Sequence, residues 1–292
     1  MPADPHIGTL NEAHLHASLK ELVSEPGDRF EVKVDRFVVD ILRGDEIVEI
    51  QTRSFGSMKT KLRTLLETRK IRLVHPIAHE RWIVKLAKTK KDSDSRRKSP
   101  KRQGLEAVFS ELVSMPDLID HPNLEIELIL VQEDEVRYHD PKRAWRRKGW
   151  VVQERRLLDV IDRLVVRSSS DLVRLIGDDL PKEFTTADIA RVSGWTRRIA
   201  QQAAYCLRAT DCIKMVGKKG NAIVYRKSAK KRAAKKPQAT SGAKSIPAKA
   251  SSPVKPAAKK KKATERTADK SRKKKTATAV RKKRTRRKSK PK

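Results

Sequence analysis

Apolar residues recur every three to four positions from Thr9 to Val23, where Leu10, Leu15, Leu19, Leu22 and Val23 would share one face of a helix. Thr9 and Glu12 stand in a capping-box relation at its start, and Pro26-Gly27 ends it. The pattern then changes. Arg29 to Asp35, Phe37 to Leu42 and Glu46 to Gln51 alternate or run apolar as three short strands joined by tight turns, an antiparallel meander. Phe55 to Glu67 returns to helical spacing through Met58, Leu62, Leu65 and Leu66, and Ile71 to Val74 predicts a fourth strand before His75-Pro76. A strand followed by a crossover helix and another strand places the two strands parallel, so the segment predicts an α/β core with a mixed sheet.

Beyond Trp82 to Leu86 the chain turns polar, and Ala87 to Gly104 reads as a mobile basic loop or linker. Leu105 to Val113 predicts a helix, Leu124 to Val131 a strand, and Arg155 to Val166 a strongly periodic helix. From Phe184 the order is a capped short helix closed at Ser193-Gly194, a longer helix over Trp195 to Ala209, and two short strands, Cys212 to Val216 and Ala222 to Tyr225. The expected organisation is a core over residues 1–86, a linker over 87–104, a connector over 105–180, a helical and hairpin module over 181–227, and a tail over 228–292.

Charge sets the tail apart. Ser228 to Lys292 holds 27 Lys and Arg against Glu265 and Asp269, with no aromatic residue, so it carries +25 of the chain's +34 and leaves +9 for the residues before it. Such a segment cannot bury a core and is expected to be disordered. It reads as an arm for a polyanion, because each phosphate it neutralises releases counterions. Its Ala234-Lys-Lys-Pro237 and Pro256-Ala-Ala-Lys-Lys-Lys-Lys262 runs resemble the lysine-rich tails of linker histones and of some bacterial nucleoid proteins. DNA is the expected partner, with RNA as an alternative. Cys206 and Cys212 have no second pair to complete a zinc site and read as buried hydrophobes of a reducing cytoplasm. No apolar run reaches the length of a membrane span. The expectation is a cytoplasmic, nucleoid-associated protein.

The chemistry centres on Phe37 to Gln51. If Gly44-Asp45 is the turn, Arg43 faces Glu46, Leu42 faces Ile47, Ile41 faces Val48 and Asp40 faces Glu49. Directly opposed residues share a face with Cβ atoms roughly 5 Å apart. Two like charges held so close point to a divalent cation between them. The alternative is a polar patch at a sheet edge, each carboxylate paired with an arginine such as Arg36 or Arg43. His16, four residues after Glu12, could share its helix face or be a satisfied surface histidine.

These residues resemble the PD-(D/E)XK nuclease superfamily, in which a helix carrying an acid precedes a hairpin with Asp on one strand and Glu-x-Lys on the next. Glu12, Asp40 and Glu49-Ile50-Gln51 occupy those positions over about Ile7 to Pro76. The resemblance implies a restriction-endonuclease-like core in which Asp40, Glu49 and the carbonyl of Ile50 hold Mg²⁺ or Mn²⁺, with Glu12 nearby, for hydrolysis of phosphodiester bonds. Gln51 departs from the usual lysine, since an amide orients a water but supplies no charge. Several branches of the superfamily carry Glu-x-Gln. Arg53, Lys59 or Lys61 could provide the missing cation. The rival expectation is a non-catalytic nucleoid or regulatory DNA-binding protein on a degenerate nuclease fold.

The plan of residues 184–227 resembles a winged helix-turn-helix, which implies that Thr196, Arg197, Arg198, Gln201 and Gln202 face the major groove and that Lys218 and Lys219 grip phosphate. The module could instead pack on protein or clamp backbone alone. Lys142 to Trp150 interleaves cations, Arg146 and Arg147 among them, with Trp145 and Trp150. It suits phosphates and stacked bases, or both indoles anchor a loop.

Overall fold

The structure is a computed structural model that describes residues 14–88 and 92–228. Helix α1 (His14–Val23) leads into the meander β1 (Arg29–Val34), β2 (Phe37–Arg43) and β3 (Glu46–Ile50), followed by a 3₁₀ turn (Phe55–Met58) and α2 (Lys59–Leu66). Strand β4 (Lys70–Lys85) runs parallel to β3, with Ile47 opposite Ile71 and Ile50 opposite Val74. After β5 (Ser95–Lys98) and the short α3 (Phe109–Leu112) come β6 (Leu124–His139), parallel to β4, and β7 (Trp150–Val166), antiparallel to β6. One seven-stranded mixed sheet results, in the order β1-β2-β3-β4-β6-β7 with β5 paired to β4. The expected helix, meander, helix and parallel strand are all present.

The sheet buries both faces. Leu15, Leu19 and Val23 of α1 pack on Ile41, Val48, Val74, Ile129 and Val131 on one side. On the other, Leu62, Leu65 and Leu66 of α2 and Phe109 and Leu112 of α3 pack on Ile47, Ile71, Leu73 and Leu128. The chain ends in α4 (Ser169–Leu175), α5 (Thr186–Ser193), α6 (Arg197–Ala209) and the hairpin β8 (Ile213–Lys219) with β9 (Ala222–Lys227). Their apolar residues, Leu172, Ile189, Ala203, Cys206 and Leu207, join that second core. The Phe109 and Trp195 rings lie 5.8 Å apart, and Cys212 Sγ donates to Ser169 Oγ at 2.9 Å. The module beginning at Phe184 therefore shares its core with the sheet. Both cysteines are buried and unpaired, as expected, and burial pushes the Cys206 thiol up to about 12.

Four sequence expectations are corrected. Arg155 to Val166 is strand, not helix. Three bulges in the β6/β7 pairing leave Gln153, Leu158 and Ile161 without partners in the ladder, and the two at Leu158 and Ile161 break the period-two alternation and spread the apolar residues at near-helical intervals. The fourth strand does not stop at His75-Pro76. Val74 offers its carbonyl to Gln51 N, so the N–H that Pro76 lacks would point to the same side, beyond the end of β3, where no ladder bond is lost. The supposed linker contains β5, whose Ser-Arg-Arg-Lys sequence is exposed and so shows no apolar alternation. The second hairpin is longer than expected, with Gly217 to Lys219 inside β8. Glu12 and the tail from Ala229 onward lie outside the described residues.

Candidate functional site

Gly44, at φ +55°, turns β2 into β3, and the ladder follows the expected register: Arg43 opposite Glu46, Leu42 opposite Ile47, Ile41 opposite Val48. It ends there, one pair short of the Asp40 and Glu49 pair that the sequence predicts. On β2 the side-chain alternation slips at Asp40, since Val39 enters one core and Ile41 the other. Asp40 then fills the gap between the strands. Its Oδ2 accepts the Ile50 amide at 2.8 Å and lies 3.2 Å from His16 Nε2 on α1. Burial acts to raise its pKa, but the His16 and Ile50 hydrogen bonds, with the charges of His16 and Lys61, outweigh it and hold the carboxyl below its ordinary value.

Glu49 is the opposite case. It is 3% exposed, and burial together with the Asp40 charge pushes its pKa up to about 7 against the opposing pull of Lys61. Lys61 Nζ stands 2.6 Å from Glu49 Oε1 and donates to the carbonyl of Val38 at 2.6 Å. That Glu49 oxygen is buried, with Lys61 the cation beside it. Of the three cations considered for the missing lysine, Lys61 is the one at the acids. Lys59 lies 3.5 Å from Asp117, and Arg53 is exposed at the end of β3. Gln51 turns to the following loop, where its amide donates to Ser54 O at 3.1 Å and Ser57 Oγ at 3.0 Å. Neither arginine of the alternative reading reaches the acids: Arg43 binds Glu25 and Asp28, and Arg36 lies over the Phe37 ring.

His16 is the residue that sequence reasoning left on the surface. It sits 24 positions from Asp40, and only the packing of Leu15 and Leu19 against the sheet turns it inward. No local pattern reports that contact. Among the described residues no three His, Cys, Asp or Glu side chains gather as a metal cage.

A cavity of about 310 Å³ opens where β3 ends, beginning at Thr52, Arg53 and Ser54 and passing His75 to Ala78 of β4. Arg53, Arg81, Lys101 and Arg155 line it. Two of these are braced from below. Arg81 lies 2.6 Å from Glu133 and 3.0 Å from Glu135, both buried, and Arg155 lies 3.9 Å from each. Arg53 and Lys101 have no carboxylate partner among the described residues. His75, in the wall, has its Nδ1 2.6 Å from the Gln51 carbonyl, and burial lowers its pKa, so it stands neutral with Nδ1–H donating.

The C-terminal module places most of its expected residues outward. Thr185 and Asp188 form the capping box of α5, and Gly194 at φ +70° ends that helix. Thr196 caps α6, its hydroxyl accepting from Ile199 N. Arg197, Arg198 and Gln201 are exposed, as are Lys218 and Lys219 of the hairpin. Gln202 is corrected: it is half-buried with Oε1 enclosed and unpartnered, because it sits on the flank of α6 between the inward-facing Ile199 and Cys206. Arg146 and Arg147 lie in an exposed 3₁₀ turn (Trp145–Arg147) between β6 and β7.

Residues 13–167, from α1 to the end of β7, match the family described as Domain of unknown function (DUF8091). The chain belongs to this family. The family segment takes in the whole seven-stranded sheet, the acids and the cavity, and ends before α4. An uncharacterized protein of Treponema pallidum (strain Nichols) is 29% identical over 224 residues, 76% of this chain and 87% of that protein. No solved structure matches the chain. No helix among the described residues is long and apolar enough to cross a membrane.

Proposed function

We propose that the protein is a metal-dependent phosphodiester hydrolase acting on DNA, with the PD-(D/E)XK-like site at the splayed end of the β2/β3 hairpin. The observation that carries this reading is the meeting of the Asp40 and Glu49 carboxylates with the Lys61 ammonium where β2 and β3 part. Past the end of β3 opens the cavity whose wall holds Arg53, Arg81, Lys101 and Arg155 together with Glu111 and Glu133. Two hard carboxylates suit Mg²⁺ or Mn²⁺, which accepts one or two such ligands and keeps water and substrate phosphate in its other positions. Glu49 keeps a raised pKa even with Lys61 2.6 Å away, because burial and the Asp40 charge outweigh it, and a divalent cation between the two acids would offset that repulsion. When bound, that ion would supply an activated water and offset charge on the phosphate. Lys61 would add a fixed positive charge next to the scissile group, the role for which Gln51 is unsuited. Arg53, Lys101, Arg81 and Arg155 would seat the neighbouring phosphates of the strand.

The winged-helix-like module, with Arg197, Arg198, Lys218 and Lys219 outward, and the basic tail would hold the enzyme on its polymer. A second reading is a DNA-binding protein without turnover. It is favoured by the partners that His16, Ile50 and Lys61 already give the two acids. Isothermal titration of Mg²⁺ and Mn²⁺ into the full chain separates the two. The hydrolase reading expects saturable binding that Asp40→Asn weakens at least tenfold, and heat identical for the two proteins would count against it.

A further inference from the structure

Strands β4, β6 and β7 run on past the core, and the turn joining β6 to β7 forms a tip that the acid site does not use. This tip is built to hold one conformation. Asp140 Oδ1 accepts the amides of Lys142 and Arg143 at 3.0 and 3.2 Å, Asp140 N donates to Gly149 O at 2.6 Å, and Gly149 N and Arg147 N both donate to Ala144 O. Gly149, at φ +79°, packs where a Cβ would come within 2.5 Å of His139 Nε2. On this fixed turn the indole of Trp145 is 73% exposed. Trp150 is different: it is half-buried, edge-on to His139, beneath Lys85 and Lys88. Trp150 anchors the turn and Trp145 does not.

Around Trp145 stand Lys142, Arg146, Arg147 and Lys148, exposed and without a carboxylate partner among the described residues. The Arg146 guanidinium lies over one face of the Trp145 ring, 5.0 Å from its centre, so a base would stack on the other face or displace it. A single exposed apolar ring is common on protein surfaces. This one is distinguished by standing among these four cations on a hydrogen-bonded turn. The ring offers a flat face, and the cations beside it would neutralise negative groups on either side of whatever stacks there. Lys85 and Lys88, over the Trp150 ring at the base of the turn, add to this positive charge, which together with a stacking face suits a nucleic acid.

We propose that Trp145 stacks an unpaired nucleobase while Arg146, Arg147 and Lys148 hold its flanking phosphates, so that the ribbon tip binds single-stranded nucleic acid. The proposal rests on the reading of the chain as a nucleic-acid-binding protein and is independent of the chemistry at Asp40 and Glu49. A base inside a duplex has both faces covered and offers nothing to the indole, so the site distinguishes strand state.

The test is fluorescence anisotropy of a labelled thymidine 20-mer and of a 20-base-pair duplex with the full chain, at about 0.3 M salt to reduce the tail's contribution. Trp145→Ala is expected to weaken single-strand binding roughly 5- to 100-fold, with duplex binding changed less than about twofold. Trp145→Phe, which keeps a stacking face, should stay within about threefold of the wild type. The Arg146→Ala/Arg147→Ala double variant should reduce the single-strand salt slope by about 1.4. Unchanged single-strand affinity in Trp145→Ala overturns the proposal while leaving nucleic-acid binding intact. Binding of neither polymer by the wild type overturns both. Capture of vesicles of phosphatidylserine and phosphatidylcholine that Trp145→Ala abolishes, without strand preference, assigns the tip to membranes and overturns it as well.

Discussion

Lys61 Nζ lies 2.6 Å from Glu49 Oε1, so a cation from α2 stands at the buried carboxylate of β3, at the edge where β2 and β3 part. Under the hydrolase reading this lysine would replace the positive charge that Gln51 lacks. Lys61→Ala should therefore lower DNA cleavage at least about 100-fold while DNA affinity changes little, and Lys61→Arg should retain part of the activity. Equal rates for Lys61→Ala and the wild type in a plasmid nicking assay would remove Lys61 from the mechanism. Lys59→Ala, whose lysine lies 3.5 Å from Asp117, should leave cleavage intact.

Glu49 makes stability depend on pH. Its folded pKa of about 7 lies above the ordinary 4.5, so the native state binds more protons than the unfolded one between those values. Stability contributed by the protonated form is full below about 4.5 and is lost as pH rises through 7. Glu49→Gln imitates the protonated form. It should be more stable than the wild type by about 2–3 kcal/mol at pH 8 and equal to it at pH 4. Urea melts at the two pH values check this, and a gain independent of pH would contradict the assignment. Mg²⁺ should raise the wild-type melting temperature at pH 8 and leave that of Glu49→Gln nearly unchanged.

Glu133 and Glu135 are buried among Arg81, Arg137 and Arg155. Removing either acid leaves guanidinium groups facing one another with less compensation, although their partial exposure lets water help. Glu133→Gln should cost about 1–3 kcal/mol in urea and loosen the cavity wall, seen as a weaker salt dependence of DNA binding. No change in either quantity would mean that the arginines are held by other contacts.

Gln202 separates the surface of α6 from its packed flank. Its enclosed Oε1 has no partner, so Gln202→Met should be neutral or stabilise by about 1 kcal/mol and leave DNA affinity unchanged. Arg197→Ala and Arg198→Ala should each weaken DNA binding and reduce its salt slope by about 0.9. A specific loss of affinity in Gln202→Met would put this side chain in contact with DNA.

Much of the fold was legible in local pattern. The Gly44-Asp45 turn determined the hairpin register through Ile41 and Val48, and the capping signal at Thr185 marked α5. What failed has physical causes. The bulges at Leu158 and Ile161 made a strand look helical, and β5 carries no apolar residue to betray a strand bound through its backbone. The candidate acids were legible because like charges on facing strands are costly. His16 was weighed and set aside, while Arg81 and Arg155 went unremarked. They reach their places through long-range packing, which leaves no mark on their sequence neighbours.

The central claim is most directly tested by incubating the full chain with supercoiled plasmid in Mg²⁺ or Mn²⁺ beside its Asp40→Asn variant. The account predicts metal-dependent nicking by the wild type and loss of cleavage, at least about 100-fold, in the variant with DNA affinity within about threefold. Absence of nicking with either metal, or equal nicking by both proteins, would contradict a hydrolytic site at Asp40 and Glu49.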